Sequence, residues 1–434
     1  MAIGRLYHRL LAGIACIAWV SLAVQVDVLI GSRGLLPVAE IAGKASFWRL
    51  PTVFGLFTPG DGVLVGGAWL GAALAAAAAV GVYPRALIGL SALLYLSYAT
   101  ACRDFLWFQW DSLLLECGAL AVFLPRDRSE KWISILFRLL LLKLYFESGM
   151  AKWQSYLHDW QDGSAMTYYY ETAPLPTPVA WLMHRLPVGW HHFESWATLA
   201  LELGVPFLAF GPRRVRLVAF VLLTGFQLMN LATANYGFFV LLALALHVFL
   251  LDDDAPRLGR PKKLVPAVVI SAWAGLSLIG AIGTFGDHGF LPSVRGAVEP
   301  FRLVNNYHLF GHITRERIEP QFETTVDGQT WVEHDLRHKA GDLHRAPPIV
   351  APHQPRVDFL LWFYGLSYRR GAPEYVAHLV DRMCHDPEAV QPLFASPLPA
   401  HARAVRIVFF QYHFAPSPWW TRAEVDTLGP VGCQ

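Results

Sequence analysis

Long apolar runs joined by short polar connections fill the first two thirds of the chain. A helix needs about 20 mostly apolar residues to cross the hydrocarbon core of a bilayer, because each residue rises only ~1.5 Å. Nine runs approach or reach that length: Leu10 to Ile30, Gly62 to Val82, Ala86 to Ala101, Phe108 to Leu124, Ile133 to Met150, Phe193 to Phe210, Val215 to Leu231, Tyr236 to Leu251 and Leu264 to Phe285. Those starting at Ala86, Phe108 and Tyr236 are short, and predict spans that tilt little or draw in flanking residues. After Phe285 the pattern changes, and residues 286–434, rich in His, Arg, Pro and acidic side chains, hold no run of spanning length. The pattern predicts an α-helical polytopic membrane bundle of about nine spans (1–285) with an aromatic outer loop at 151–192. A soluble extracytoplasmic α+β domain (286–434) follows.

Within that tail, Arg317 to Thr325 alternates polar and apolar, Asp327-Gly328 is a strong hairpin turn, and Thr330 to Leu336 alternates again. A β-hairpin follows. Glu374 to Cys384 and Pro387 to Phe394 read as helices, the second with Asp386 as its N-cap, and Ala404 to Phe414 reads as a strand.

Charge orients the bundle, because loops rich in Lys and Arg stay cytoplasmic. One alternating set of loops holds Arg5 and Arg9; Arg85; Arg126, Arg128 and Lys131; Arg213, Arg214 and Arg216; and Arg257, Arg260, Lys262 and Lys263. The other set is leaner and longer, with Arg33, Lys44 and Arg49; Arg103; and Lys152 and Arg185. The N-terminus is therefore expected inside, and nine spans place the tail outside, in the periplasm of a bacterial inner-membrane protein or in the lumen of the endoplasmic reticulum. No small-residue cleavage pattern follows the first run, so it reads as a signal anchor.

Composition narrows the classes. Of 434 residues 54% are apolar and only 16% charged, against roughly 25% charged in soluble proteins, and 35 basic against 33 acidic residues leave a net charge of +2. Disorder is excluded by hydrophobicity, and nucleic-acid binding is disfavoured because the basic residues sit between apolar runs rather than in one patch. Of five cysteines, Cys16, Cys102 and Cys117 fall in or beside spans as buried thiols. Cys384 and Cys433 share an oxidising compartment and either pair or stay free.

An ionisable group inside a span costs several kcal/mol unless it meets protein, water or a partner. Asp111 and Glu116 fall in the fourth run, Arg138, Lys143 and Glu147 in the fifth, and Glu194 and Glu202 in the sixth, with Gln227 and Asn230 in the seventh. Lys143 and Glu147, four apart, share a helix face and are expected to neutralise each other. Asp111 and Glu116 lie roughly 140° apart around a helix, so at least one must reach a neighbouring helix. Lys152, at the outer boundary, reads either as a snorkelling lysine or as a base whose proton burial loosens.

The loop after Lys152 carries Trp153, Trp160, Tyr168, Tyr169, Tyr170, Trp181, Trp190, His191 and His192. An interfacial aromatic belt accounts for most of them, while 162–178, with three prolines, is long enough for a lid or ledge. No metal site is expected. HExxH, GxSxG, P-loop and GxGxxG patterns are absent, so hydrolase, NTPase and dinucleotide readings lack support.

Several strings resemble the lipase maturation factor family. They are Leu29 to Pro37 (LIGSRGLLP), Trp110 to Gly118 (WDSLLLECG), Tyr169 to Pro176 (YYETAPLP), Leu303 to Tyr307 (LVNNY), Phe310 to Arg315 (FGHITR) and Arg356 to Phe363 (RVDFLLWF). The resemblance covers nearly the whole chain. It implies a multi-span, cofactor-free protein that helps secreted lipases fold or assemble, with the bilayer and an exported lipase or other client as partners and no catalytic group required. Client binding is then expected at Tyr169, Tyr170, Glu171, Asn306, Arg315, Arg356 and Asp358. A shorter stretch, Tyr145 to Lys152 (YFESGMAK) with Trp160 and 163–166, is similar to the part of the vitamin K-dependent carboxylase that holds its base lysine. That resemblance implies Lys152 as a base acting on a quinone or lipid-like substrate.

Overall fold

The computed structural model describes residues 2–41, 47–127, 131–252, 264–285 and 298–433. Lys44, Arg128, Arg257, Arg260, Lys262, Lys263 and the first part of the tail lie outside the described residues. Among the described residues twelve α-helices precede the tail: α1 (Ile3–Ala23), α2 (Val26–Ile30), α3 (Asp61–Ala79), α4 (Pro84–Ala101), α5 (Gln109–Ala121), α6 (Lys131–Trp153), α7 (Ala165–Thr172), α8 (Pro178–Met183), α9 (Val188–Gly204), α10 (Arg213–Thr233), α11 (Phe239–His247) and α12 (Leu264–Phe285).

Each of the nine apolar runs forms helix, Leu264–Phe285 with the expected ends and the others with at least one end shifted. The first begins seven residues early, at Ile3, and breaks between α1 and α2. By length and composition, four helical segments among the described residues are apolar enough to cross a membrane: α1, α3, α10 and Val188–Phe210, which joins α9 to a 3-10 turn. Phe239–Leu250 and Pro266–Ile282 are apolar too, over shorter stretches. Helix α5, with 13 residues, is only about 20 Å long, and it is enclosed by protein, where short or polar helices are tolerated.

Contacts distinguish two ends of the helical part. At one end Arg5 meets Asp127 at 3.0 Å, Arg85 bonds the Val122 carbonyl, Arg126 bonds that of Gly81, and Arg216 bonds those of Gly211 and Leu250. At the other end Arg33, Arg103, Lys152 and Asn235 gather beside the tail. Packing inside is close where α3 is built from Gly and Ala. A Cβ on Gly71 would sit 2.2 Å from the Trp19 ring, which stands edge-on to Tyr95 and Tyr98 and donates to Ser91.

The tail holds a four-stranded antiparallel sheet in the order β2-β1-β3-β4, from β1 (Ile318–Thr325), β2 (Val332–His334), β3 (Ala404–Phe414) and β4 (Trp420–Gly432). Phe322 faces His334 across the hairpin and Ile318 faces Gln411 on the other side. Asp327 makes the turn by accepting from the backbone N–H groups of Gln329 and Thr330, bonds that hold its carboxyl well below the usual range.

The residues of β1 alternate between polar and apolar, and all eight are buried. The reason is that its polar side chains are matched: Glu319 by Arg317 and Lys339 at 2.6 and 2.7 Å, Glu323 by Arg406, and Gln321 by Asp335. The helix Arg356–Ser367 lies on β1 so closely that a Cβ on Gly365 would come within 2.0 Å of the Ile318 carbonyl oxygen. Cys384 and Cys433 form a disulfide that ties the helix Glu374–His385 to the end of β4. Residues 387–394 give only Pro387–Val390 before a 3-10 turn that contains Pro392, which cannot continue an α-helix. Asp386 caps nothing with its side chain and bonds Arg33 instead.

Candidate functional site

The polar residues of the spans meet the tail. Asp111, fully buried in α5, accepts from the Tyr95 hydroxyl of α4 at 2.7 Å. Arg356 closes on both its oxygens at 2.6 and 2.8 Å, and also reaches the Phe105 carbonyl. One turn further along α5, Glu116 accepts from Trp273 Nε1 of α12, from the Asn305 backbone and amide N–H groups, and from the Tyr307 hydroxyl at 2.8 Å. Both carboxylates are therefore satisfied from other elements, and most of the donors come from the tail.

Lys143 reaches across to Glu116 at 3.5 Å and to Ser277 of α12. The expected pairing with Glu147 along α6 gives way to this inter-helix contact, because Glu147 is engaged by the backbone N–H of Tyr307 at 2.7 Å. Lys152 is buried, with Glu202 Oε1 and Oε2 at 3.0 and 2.7 Å and the Leu309 carbonyl at 2.8 Å. Its ammonium also lies 5.2 Å from the centre of the Trp160 ring. Three oxygen contacts engage this lysine, so it neither snorkels nor stands free, and it ties α6, α9 and the tail together.

The stretch YYETAPLP is held from both sides. Tyr169 shares a 2.6 Å hydroxyl bond with Tyr236, and Tyr170 donates to Glu194, which also meets His191. Glu171 accepts from the Phe414 backbone N–H and from His413. Arg317 donates to the carbonyls of Glu171, Ala173 and Pro174, and Trp362 to that of Thr172. Asn235 bridges the same loop to Pro348, Val350 and Ala351. The segment is thus a seam between spans and tail rather than a loose lid.

Of the residues expected to bind a client, Tyr169, Tyr170, Glu171, Arg356 and Asp358 are buried. Asp358 accepts from the His338 backbone N–H, and burial pushes its carboxyl above the usual range. Asn306 is half-buried and bonds the Gly280 carbonyl, while Arg315 is exposed, its guanidinium 5.3 Å from the Tyr168 ring. Sequence reasoning missed as clamp residues Arg317, Asn305, Asn235 and Arg302, which donates to the Leu106 and Ala99 carbonyls. Asn305 was visible only as part of LVNNY, and Arg317 as the lone cation at the head of an alternating strand.

Beneath the seam a cavity of about 60 Å³ lies between α6, α7, α9, α10, α11 and Leu309-Phe310, walled by Tyr145, Trp160, Tyr169 and Tyr236 and containing the Lys152–Glu202 pair. Among the described residues one group has metal-like spacing, Glu40, Glu374 and His378, with ligand atoms within 4.8 Å of one another. Arg103 already bonds both carboxylates there, which supplies the positive charge a metal would bring.

Comparison with known proteins matches this division of labour. Residues 3–257 match the lipase maturation factor transmembrane domain, and residues 303–430 the lipase maturation factor C-terminal domain. Human lipase maturation factor 2 is 30% identical over 99% of this chain and 83% of its own length. The chicken protein of the same name is 29% identical, and bovine lipase maturation factor 1 is 27% identical over 97% of this chain and 87% of its own. No solved structure matches. With both family modules present and joined through buried ion pairs and hydrogen bonds, the chain belongs to the lipase maturation factor family, as an integral membrane protein.

Proposed function

We propose that this protein assists the folding or assembly of an exported lipase, as the names of its relatives indicate for them, and that it does so as a chaperone-like scaffold rather than a catalyst. The observation that carries the reading is the clamp itself: the tail is fastened to the spans by the buried Arg356–Asp111 pair and by Glu116 and Glu147. A client domain held rigidly at the membrane surface meets a polypeptide as it emerges, and exposed apolar side chains suffice to hold it. Exposed candidates next to the seam include Trp153, Tyr156 and Trp190 on the spans' outer ends and Ile349 in the tail.

In this reading the nine apolar runs are nine spans. The basic end is cytoplasmic and the tail lies in the periplasm or the lumen, where the Cys384–Cys433 disulfide persists. Lys152 has a structural role here, as a cross-link. The test is the activity per molecule of a secreted lipase from cells with the intact protein, with none, and with Arg356→Ala at matched membrane abundance. Loss of the protein should lower specific activity and Arg356→Ala should restore it only in part. Equal specific activity in all three would sink the reading.

A further inference from the structure

The cavity beside Lys152 has a feature that the clamp does not explain. Gln227 of α10 is buried, at 2% exposure, and donates its amide to the Tyr145 hydroxyl at 2.9 Å. That hydroxyl bonds His247, whose other ring nitrogen bonds Thr224. The relay is complete at every member except its first, because Gln227 Oε1 has no hydrogen-bond partner among the described residues. A buried acceptor left unmade costs about 1–3 kcal/mol, so an orphan of this kind in a cavity marks a place where a donor is expected.

The rest of the wall specifies the donor's carrier. Lys152 and Glu202 are the cavity's only charged residues, and they neutralise each other at 2.7 Å, so no free charge is offered to an ionised ligand. The remaining surface is mostly aromatic. Phe226 and Asn230, half-buried on α10, form part of the wall. The same helix exposes Val221, Leu222 and Leu228 to the surroundings of the bundle, which for a spanning helix is lipid. A water-sized site occupies ~10–15 Å³ on the same measure, so about 60 Å³ accommodates a head of a few atoms whose apolar body trails out between the helices.

We infer that this cavity binds an uncharged, hydroxyl-bearing amphiphile of the outer leaflet, with the hydroxyl donating to Gln227 Oε1 and the chain leaving past Phe226. The pairing of Lys152 with Glu202 excludes a fatty acid as the preferred ligand, because its carboxylate would need the cation that Glu202 already holds. An ester without a hydroxyl fails for the opposite reason, since it brings no donor.

The test uses the full chain in detergent micelles and radiolabelled 1-monooleoylglycerol as the probe, with methyl oleate and oleate as competitors. Saturable binding near one molecule per chain is expected, with both competitors at least ten-fold weaker. Gln227→Met should weaken binding roughly ten-fold, the worth of one hydrogen bond, and Thr198→Phe, which fills the cavity without touching the relay, should abolish it. If Gln227→Met fails to fold, the competitor series and Thr198→Phe carry the test. Absence of saturable binding, as for a cavity that holds water alone, would overturn the assignment. Equal competition by methyl oleate, or binding indifferent to Thr198→Phe, would overturn it as well.

Discussion

Arg356 of the tail and Asp111 of α5, 245 residues apart in the chain, form a buried two-bond ion pair with contacts of 2.6 and 2.8 Å. Taking either charge from water is expensive, and only the partner's geometry repays it. Asp111 is thus tolerated among apolar helices because the tail completes it, and the tail is docked because Asp111 awaits it.

Removing one partner leaves the other charge buried and alone. Arg356→Ala or Asp111→Ala should destabilise the docked state by about 3–5 kcal/mol, and Arg356→Lys should recover little because a lysine cannot make the two-pronged contact. The paired Arg356→Met, Asp111→Leu protein should be far more stable than either single variant. Thermal unfolding in detergent, with limited proteolysis of the tail, reports all four; a double variant no better than the singles would contradict this account.

Lys152 and Glu202 allow the same logic to separate cross-linking from proton transfer. Lys152→Met alone strands a buried carboxylate and should lower both stability and lipase activation. The double variant Lys152→Met, Glu202→Gln should regain much of both, since the charges vanish together. A lysine acting as a base would leave the double variant folded and inactive, so specific activity of the secreted lipase at matched abundance distinguishes the two roles.

Acidification should loosen the contact between the tail and α1. His353 bonds Ser21 of α1, and burial, with His338 and Arg356 nearby, lowers its pKa to about 4. The unfolded imidazole titrates near 6.5, so the unfolded chain binds more protons between those values, and stability is complete above pH 6.5 and lost as the pH falls towards 4. Between pH 7.5 and pH 5 the loss at this partly screened site should be about 1 kcal/mol. Unfolding midpoints at the two pH values should differ less in His353→Gln; an unchanged difference would assign the effect elsewhere.

The Cys384–Cys433 bond closes a loop with a sequence separation of 49. Chain entropy alone makes such a bridge worth about 4 kcal/mol. Reduction, or Cys433→Ser, should therefore unfold the sheet domain at lower denaturant concentration, read from the fluorescence of Trp420, which is buried at the start of β4. No shift in midpoint on reduction would show that β4 needs no tether.

Much of the architecture was legible because it depends on local period and composition. The nine apolar runs all became helix, the Asp327-Gly328 turn joined two strands, and the strings quoted for the family fall inside the matched domains. Pro392 ended the helix expected over 387–394 by a local effect, while other errors come from partners distant in the chain. Lys143 was assigned to Glu147, its neighbour on α6, and bonds Glu116 of α5. Asp386 was read as a helix cap, and Arg33 from the first outer loop took its carboxylate.

The sequence by itself determined which segments are apolar enough for membrane, how they alternate in charge, and which residues would be costly to bury alone. Those properties follow from the transfer free energy of each side chain and need no neighbour to define them. Only the tertiary structure decided how the cost is met: Asp111 by Arg356, Glu116 by Asn305 and Tyr307, Glu202 by Lys152, and the YYETAPLP loop by Arg317. A hydrogen bond or ion pair fixes two groups in space irrespective of their separation along the chain, and for that reason the clamp between spans and tail leaves no periodic trace in the sequence.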